Sequence, residues 1–259
     1  MYDYDMVLRY WKDKKITDDA ELMEAMSGHS ILMSYNSGKI ENENITYNDT
    51  REIFEHDGVS SYSGDLRTLF EIRNSKVAWE FFLECFGRKK PLDEDLVKEF
   101  QKRLTMNTYD ERRWKLGERP GEYKKHDFVT GREEVGASPE DTAEEMKELL
   151  KELQGIPEDK VLIAGAYFHV KFENIHPFAD GNGRTGRLAM NYLLAAGNHP
   201  LITIHEEDRR EYYEALEAWD REQKLEPMVE FLKAQTVKTW AKQALTQKTK
   251  PETTLADYC

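Results

Sequence analysis

Cysteine is nearly absent from this 259-residue sequence: Cys85 and Cys259 are the only two. Two thiols cannot build a disulfide framework or a four-cysteine zinc site, and they suit a reducing compartment, so an intracellular, cytoplasmic location is expected. Positive charge is also in short supply. With 37 Lys and Arg against 50 Asp and Glu, the net charge is −13, which excludes a generic phosphate-backbone binder and disfavours nucleic acid as a partner. Long apolar runs are missing too. The N-terminal MYDYDMVLRYWKDKK mixes acids and bases throughout, and the most apolar stretch, residues 161–170, is about half the length needed to cross a bilayer. Neither an export signal nor a membrane anchor is expected. What is present is aromatic area: 13 Tyr, 11 Phe and 5 Trp bury enough surface for one substantial core despite a charged fraction of 34%.

Strand-like alternation is also scarce, whereas apolar residues recur with the 3.6-residue period, so a mainly α protein is expected. The pattern predicts a helix over 19–40 with Leu22, Met23, Met26, Met33 and Ile40 inward, weakened at Gly28 and Gly38. A second helix begins after Thr46 or Asp49. A long one over 65–86 carries Leu66, Leu69, Phe70, Val77, Phe81 and Cys85 as its core stripe. Pro91-Leu92-Asp93 opens a helix reaching 106, and Ser138-Pro139-Glu140-Asp141 resembles a capped start with Pro139 at the first helical position, for a helix ending near Gly155. Pro157 starts another, with Val161, Leu162, Ala164, Gly165 and Phe168 buried. Helices over 184–196, 206–223 and 227–245 complete the set. The exception lies at 119–137, where Gly and Pro punctuate Tyr, Phe and Val, and a short β-hairpin is predicted.

Chemistry concentrates in residues 176–187, HPFADGNGRTGR. Gly181, Asn182 and Gly183 form a turn that delivers the chain onto a helix N-terminus, where main-chain N–H groups and the helix dipole attract anions. Arg184 and Arg187, three apart on one face, project toward the same polyanion. Asp180 is a hard-oxygen carboxylate suited to Mg²⁺ on phosphates. A neutral His176 is a candidate general base for a hydroxyl attacking phosphorus, with Phe178 anchoring the loop. The spacing is neither a Walker loop nor a dinucleotide-binding fingerprint. His169 reads as a core histidine. His199 and His205 lack metal-ligand spacing.

The same twelve residues match, at every defined position, the His-x-Phe-x-Asp/Glu-Gly-Asn-Gly-Arg-x-x-Arg signature, and the sequence thereby resembles the Fic (Fido) family. The likeness extends back through AYFHVKFENI and forward through RLAMNYLLAAG to Tyr212-Tyr213-Glu214-Ala215-Leu216. It implies a Fic-type helical core with a β-hairpin flap, ATP and Mg²⁺, and transfer of AMP to a Ser, Thr or Tyr hydroxyl of a target protein, with self-modification. By position, His176 deprotonates the hydroxyl and Asp180 holds the metal. Asn182 and the N–H groups of Gly181 and Gly183 form an anion hole, and Arg184 and Arg187 bind the distal phosphates. The flap, around Tyr123, Lys124, His126 and Phe128, pins the target by strand addition. Tyr212 and Tyr213 are either walls of an adenine pocket or ordinary core tyrosines.

Ser37-Gly-Lys-Ile-Glu41-Asn42 fits the family's inhibitory pattern, Ser/Thr-x-x-x-Glu-Gly/Asn, with Ser37 and Glu41 one helical turn apart. The resemblance then implies that Glu41 pairs with Arg187 and takes the slot of the γ-phosphate. It divides the chain into an inhibitory helical region over 1–60, a catalytic domain over 61–245 and a tail over 246–259. De-AMPylation, transfer of another nucleotide and a non-catalytic nucleotide-binding interaction protein are the alternatives, and a homo-oligomer is left open.

Overall fold

The computed structural model describes residues 3–128 and 136–249, and among them the ordered elements are all helical. Twelve α-helices follow in chain order: α1 (Tyr4–Asp13), α2 (Asp19–Ala25), α3 (His29–Glu41), α4 (Tyr47–His56), α5 (Leu66–Gly87), α6 (Glu94–Thr105), α7 (Glu111–Lys115), α8 (Thr142–Glu152), α9 (Val161–Ile175), α10 (Asn182–Ala196), α11 (Arg209–Glu222) and α12 (Glu226–Thr249). No described helix is long and apolar enough to cross a membrane.

Local chemistry explains most of the starts. Asp3, Asp18, Thr46, Asp65, Asp93 and Asp110 each cap a helix by accepting a hydrogen bond from a first-turn N–H. Each such cap contributes about 1 kcal/mol. The helix expected over 19–40 is two helices, because Gly28 adopts φ 77° and breaks it between α2 and α3. Pro139 lies before its helix rather than in it: residues 138–141 form a turn, and α8 starts at Thr142. α10 begins at Asn182, two residues earlier than the pattern suggested. α1 and the short α7 had not been anticipated.

The centre is α9, an apolar helix whose buried residues include Val161, Leu162, Ala164, Gly165 and Phe168, packed along α10. Helices α6, α3 and α5 cover α10's other sides. Phe82 of α5 and Phe100 of α6 meet Tyr192 of α10 edge-on at centroid distances of 5.2 and 5.6 Å, and the Tyr192 hydroxyl donates to the Lys90 carbonyl. Two residues of the expected stripes point outward. Met23 and Leu66 are exposed, since α2 buries only Leu22 and α5 turns Thr68, Ile72, Trp79, Phe82 and Cys85 inward.

One core runs from the first helix to the last. Trp11 of α1 meets Trp240 of α12 edge-on at 5.1 Å, His29 stacks on Trp240 at 4.2 Å, and the Trp240 indole N–H donates to the Leu201 carbonyl. Trp240 is fully buried. Trp240→Ala is expected to lower the stability of the whole chain by about 3–5 kcal/mol, measured by chemical denaturation. A change within 1 kcal/mol, roughly what an exposed site shows, would separate α1 and α12 from the cooperative unit.

Candidate active site

His176 ends α9 in the left-handed conformation, φ 51°, and turns the chain sharply out of the helix. Phe178 then drops into the core, fully buried, against Phe172 and Tyr123. The Asn182 side chain staples this loop: its Oδ1 accepts from Phe178 N–H at 2.9 Å and its Nδ2 donates to Phe178 C=O at 2.7 Å. Gly181 caps α10 at φ 80°, where a Cβ would lie 2.5 Å from Thr105 Cγ2, so glycine is required twice over. The first bond of α10 is donated by Thr185 to the Gly181 carbonyl, so the N–H groups of Asn182, Gly183 and Arg184 open the helix without an intrahelical acceptor.

These groups line a cavity of about 320 Å³ together with His176, Ala179, Asp180, Glu41, Arg67, Glu71, Arg113 and Phe128. Arg184 is 6% exposed, yet its Nε and Nη1 find no hydrogen-bond acceptor. Its remaining contacts are long ion pairs, 3.5 Å to Glu71 and 3.4 Å to Asp180. Buried guanidinium donors left open beside unpaired helix N–H groups make a strong anion site.

Arg187, one turn further on, is saturated instead. Its Nε donates to Ser37 Oγ at 3.0 Å, its Nη2 to Ser37 C=O and to Glu41 Oε1, both at 2.8 Å, and its Nη1 to the Tyr212 hydroxyl at 3.3 Å. Sequence positions 37, 41 and 187 thus converge on one guanidinium. A Cβ on Gly183 would strike the Glu41 carboxylate, so that glycine also lets α3 approach. Tyr212 is buried between Arg187 and His169, whose Nε2 lies 2.8 Å from its hydroxyl. Tyr213 is exposed beside Arg209 and away from the cavity lining.

Electrostatics favour a neutral imidazole. Desolvation first, then the Lys124 cation, push His176 down to about 4. A neutral imidazole keeps one ring nitrogen without a proton, able to accept one. Behind Arg187, burial pushes the Glu173 carboxyl up to about 8, so it is largely neutral at pH 7. Glu41 is therefore the carboxylate that offsets Arg187.

Lys124 is buried, and its N–H donates to the Pro177 carbonyl beside His176. His126 pairs with Glu118 at 2.9 Å, and Phe128 reaches the cavity. Residues 123–128 of the expected flap contain no strand, and its remainder to 135 lies outside the described residues. Arg67, Glu71 and Arg113 are cavity residues the sequence did not reveal. Arg67 and Glu71 stand one turn apart on α5 and look, in sequence, like any solvated ion pair.

Residues 91–194 match the model of the Fic/DOC family. The chain carries a Fic domain. It is 42% identical over 87 residues to the protein adenylyltransferase Fic of Drosophila persimilis, covering 32% of this chain and 17% of that one. The Aedes aegypti protein of the same name is 42% identical over 74 residues, 29% of this chain and 15% of that one. This chain therefore matches less than a fifth of these relatives' lengths. Among solved structures, a Fic domain containing signaling protein from Bacteroides thetaiotaomicron superposes with a TM-score of 0.79 at 23% identity, covering 96% and 97% of the two chains. Fic-1 from C. elegans, residues 134–508, gives 0.75 at 23%, covering 95% of this chain and 73% of that one. These likenesses establish a Fic fold across nearly the whole chain.

The His176 environment is open to direct measurement. In an NMR titration its ring protons should shift with a midpoint near pH 4, and Lys124→Met should raise that midpoint, because a cation that opposed the imidazolium has gone. A midpoint unchanged in Lys124→Met would remove Lys124 from the site's electrostatics.

Proposed function

We propose that this domain is an autoinhibited protein adenylyltransferase, transferring AMP from Mg²⁺-ATP to a hydroxyl of a target protein and, when released, to itself. The observation that carries the reading is the convergence of His176, the open N–H groups and guanidinium of the α10 start, and Asp180 on one cavity. A polyphosphate satisfies those donors, and a neutral imidazole beside it is what hydroxyl attack on phosphorus requires.

His176 takes the proton of the incoming hydroxyl on its free nitrogen as the oxygen bonds to the α-phosphorus. The bond from that phosphorus to the bridging oxygen breaks, and pyrophosphate leaves. The N–H groups of Asn182, Gly183 and Arg184 hold the charge that grows on the non-bridging and leaving oxygens, Arg184 binds the β-phosphate region, and Arg187 the terminal one. Asn182 serves through its main chain, while its amide fixes the loop that carries His176. No group of three or more His, Cys, Asp or Glu side chains placed to hold a metal ion occurs among the described residues. Mg²⁺ needs only one or two carboxylates with phosphate oxygens and water, and Asp180, a carboxylate on the cavity wall, fits that donor set. When bound there, Mg²⁺ neutralises the phosphate oxygens.

Residues 1–60 act as the inhibitory region. Glu41 and Ser37 occupy the guanidinium that the terminal phosphate would use, so the triphosphate tail cannot seat and the α-phosphorus is misaligned for in-line attack. Of the segment that carries Tyr123, Lys124, His126 and Phe128, Phe128 lines the cavity and is placed to meet a target segment; Tyr212 supports Arg187 rather than adenine, and Tyr213 stands outside the lining, beside Arg209.

Glu41→Gly is expected to raise incorporation of label from α-labelled ATP, self-modification included, by about a hundredfold, the scale of a 1 Å misplacement. His176→Ala in that background should abolish it. Labelling of wild type and Glu41→Gly to the same extent would remove the brake, and labelling that survives His176→Ala would remove the base.

A further inference from the structure

Asp180 does not face the cavity as a free carboxylate. Its Oδ2 accepts from Arg67 Nη2 at 2.8 Å, and its Oδ1 lies 3.4 Å from Arg184 Nη2. The same two arginines meet again on Glu71, whose Oε1 is 3.1 Å from Arg67 Nε and 3.5 Å from Arg184 Nη1. Two cations and two anions close into a ring. Its net charge is zero, and each carboxylate touches both guanidiniums.

The ring's members differ in freedom. Side chains of Glu71, Arg184 and Asp180 are 5, 6 and 14% exposed, whereas that of Arg67 is 45% exposed. Arg67 is thus the one member that can swing into solvent without rebuilding the core. Glu71 is held from the opposite side: its Oε2 accepts from the Asn42 side chain at 2.7 Å, and Asn42 directly follows Glu41 at the end of α3.

We propose that Arg67 is a latch on Asp180, an internal cation standing on the carboxylate that the divalent ion needs, so that metal loading requires Arg67 to let go. This rests on the reading of Asp180 as the metal-holding residue. A guanidinium at 2.8 Å and a divalent ion cannot share one carboxylate oxygen, and their mutual repulsion on neighbouring oxygens opposes double occupancy. Because Arg67 is half-exposed, its grip is that of a partly solvated ion pair, strong enough to set a metal threshold and weak enough to be displaced. Arg67 is on this account a positioning residue for the metal site, distinct from the Glu41 contact on Arg187, and joined to α3 through Glu71 and Asn42.

The test is Mn²⁺ binding by the nucleotide-free full chain, read from the loss of the free-ion EPR signal. Arg67→Ala should bind Mn²⁺ about twofold to fivefold more tightly than wild type. The gain should disappear in Arg67→Ala/Asp180→Ala, and Arg67→Lys, which keeps the charge but loses the fork, should lie between. Arg113→Gln controls for the general field, since Arg113 lines the same cavity but donates to the Ala179 carbonyl and pairs with Asp110. A gain in Arg113→Gln equal to that in Arg67→Ala, or no gain in Arg67→Ala, overturns the latch, and the metal role of Asp180 stands where the double variant still binds more weakly than Arg67→Ala. Equal binding by Arg67→Ala and the double variant overturns the metal reading itself, and the latch with it.

Discussion

Everything at this site depends on how a buried guanidinium is neutralised. Arg187 is 3% exposed and must have a counter-charge, and the two carboxyls within its reach are not equivalent. Burial pushes the Glu173 carboxyl up toward its neutral form, while Glu41, partly open to the cavity, is the one that contacts the guanidinium, at 2.8 Å. The folded chain therefore relies on α3, through Ser37 and Glu41, to satisfy a guanidinium that α10 buries.

Arg184 and Asp180 show the complementary case. Arg184 is nearly as buried as Arg187 but is satisfied only at long range, and its Nε and Nη1 are buried without a hydrogen-bond acceptor. Donors without acceptors in a low-dielectric wall cost energy until an anion arrives, and that cost turns into affinity when it does. The rigid parts make this possible. Phe178 in the core, the Asn182 staple and the αL turn at His176 fix the loop between α9 and α10, and the aromatic contacts of Tyr192 hold α10 against α5 and α6.

The sequence made the main architecture legible because its signals were local. Aspartate and threonine caps preceded the periodic runs, α9 was apolar on nearly every side, and outside 119–137 no segment competed with helix. It failed where local signals were ambiguous. Pro139 had the grammar of a first-turn proline but belongs to the turn before α8, and Leu66, apolar and in register with the stripe, sits in the first turn of α5 where no neighbour covers it. α1 was overlooked because its Trp11 finds its partner, Trp240, more than two hundred residues away on α12.

For the site, the amino-acid order alone determined the cradle: His176, Asp180, the glycines and both arginines are close in the chain, so one loop and one helix turn assemble them whatever surrounds them. Which of those arginines is hydrogen-bonded at short range and which is held only by long ion pairs was decided by tertiary packing, because Ser37 and Glu41 lie about 150 residues from Arg187 and reach it through the approach of α3 to α10. The same holds for Arg67 and Glu71. A charged pair on a helix face carries no mark in sequence of what it will meet, and only the packing of α5 against the loop at Asp180 turned that pair into part of an ionic ring.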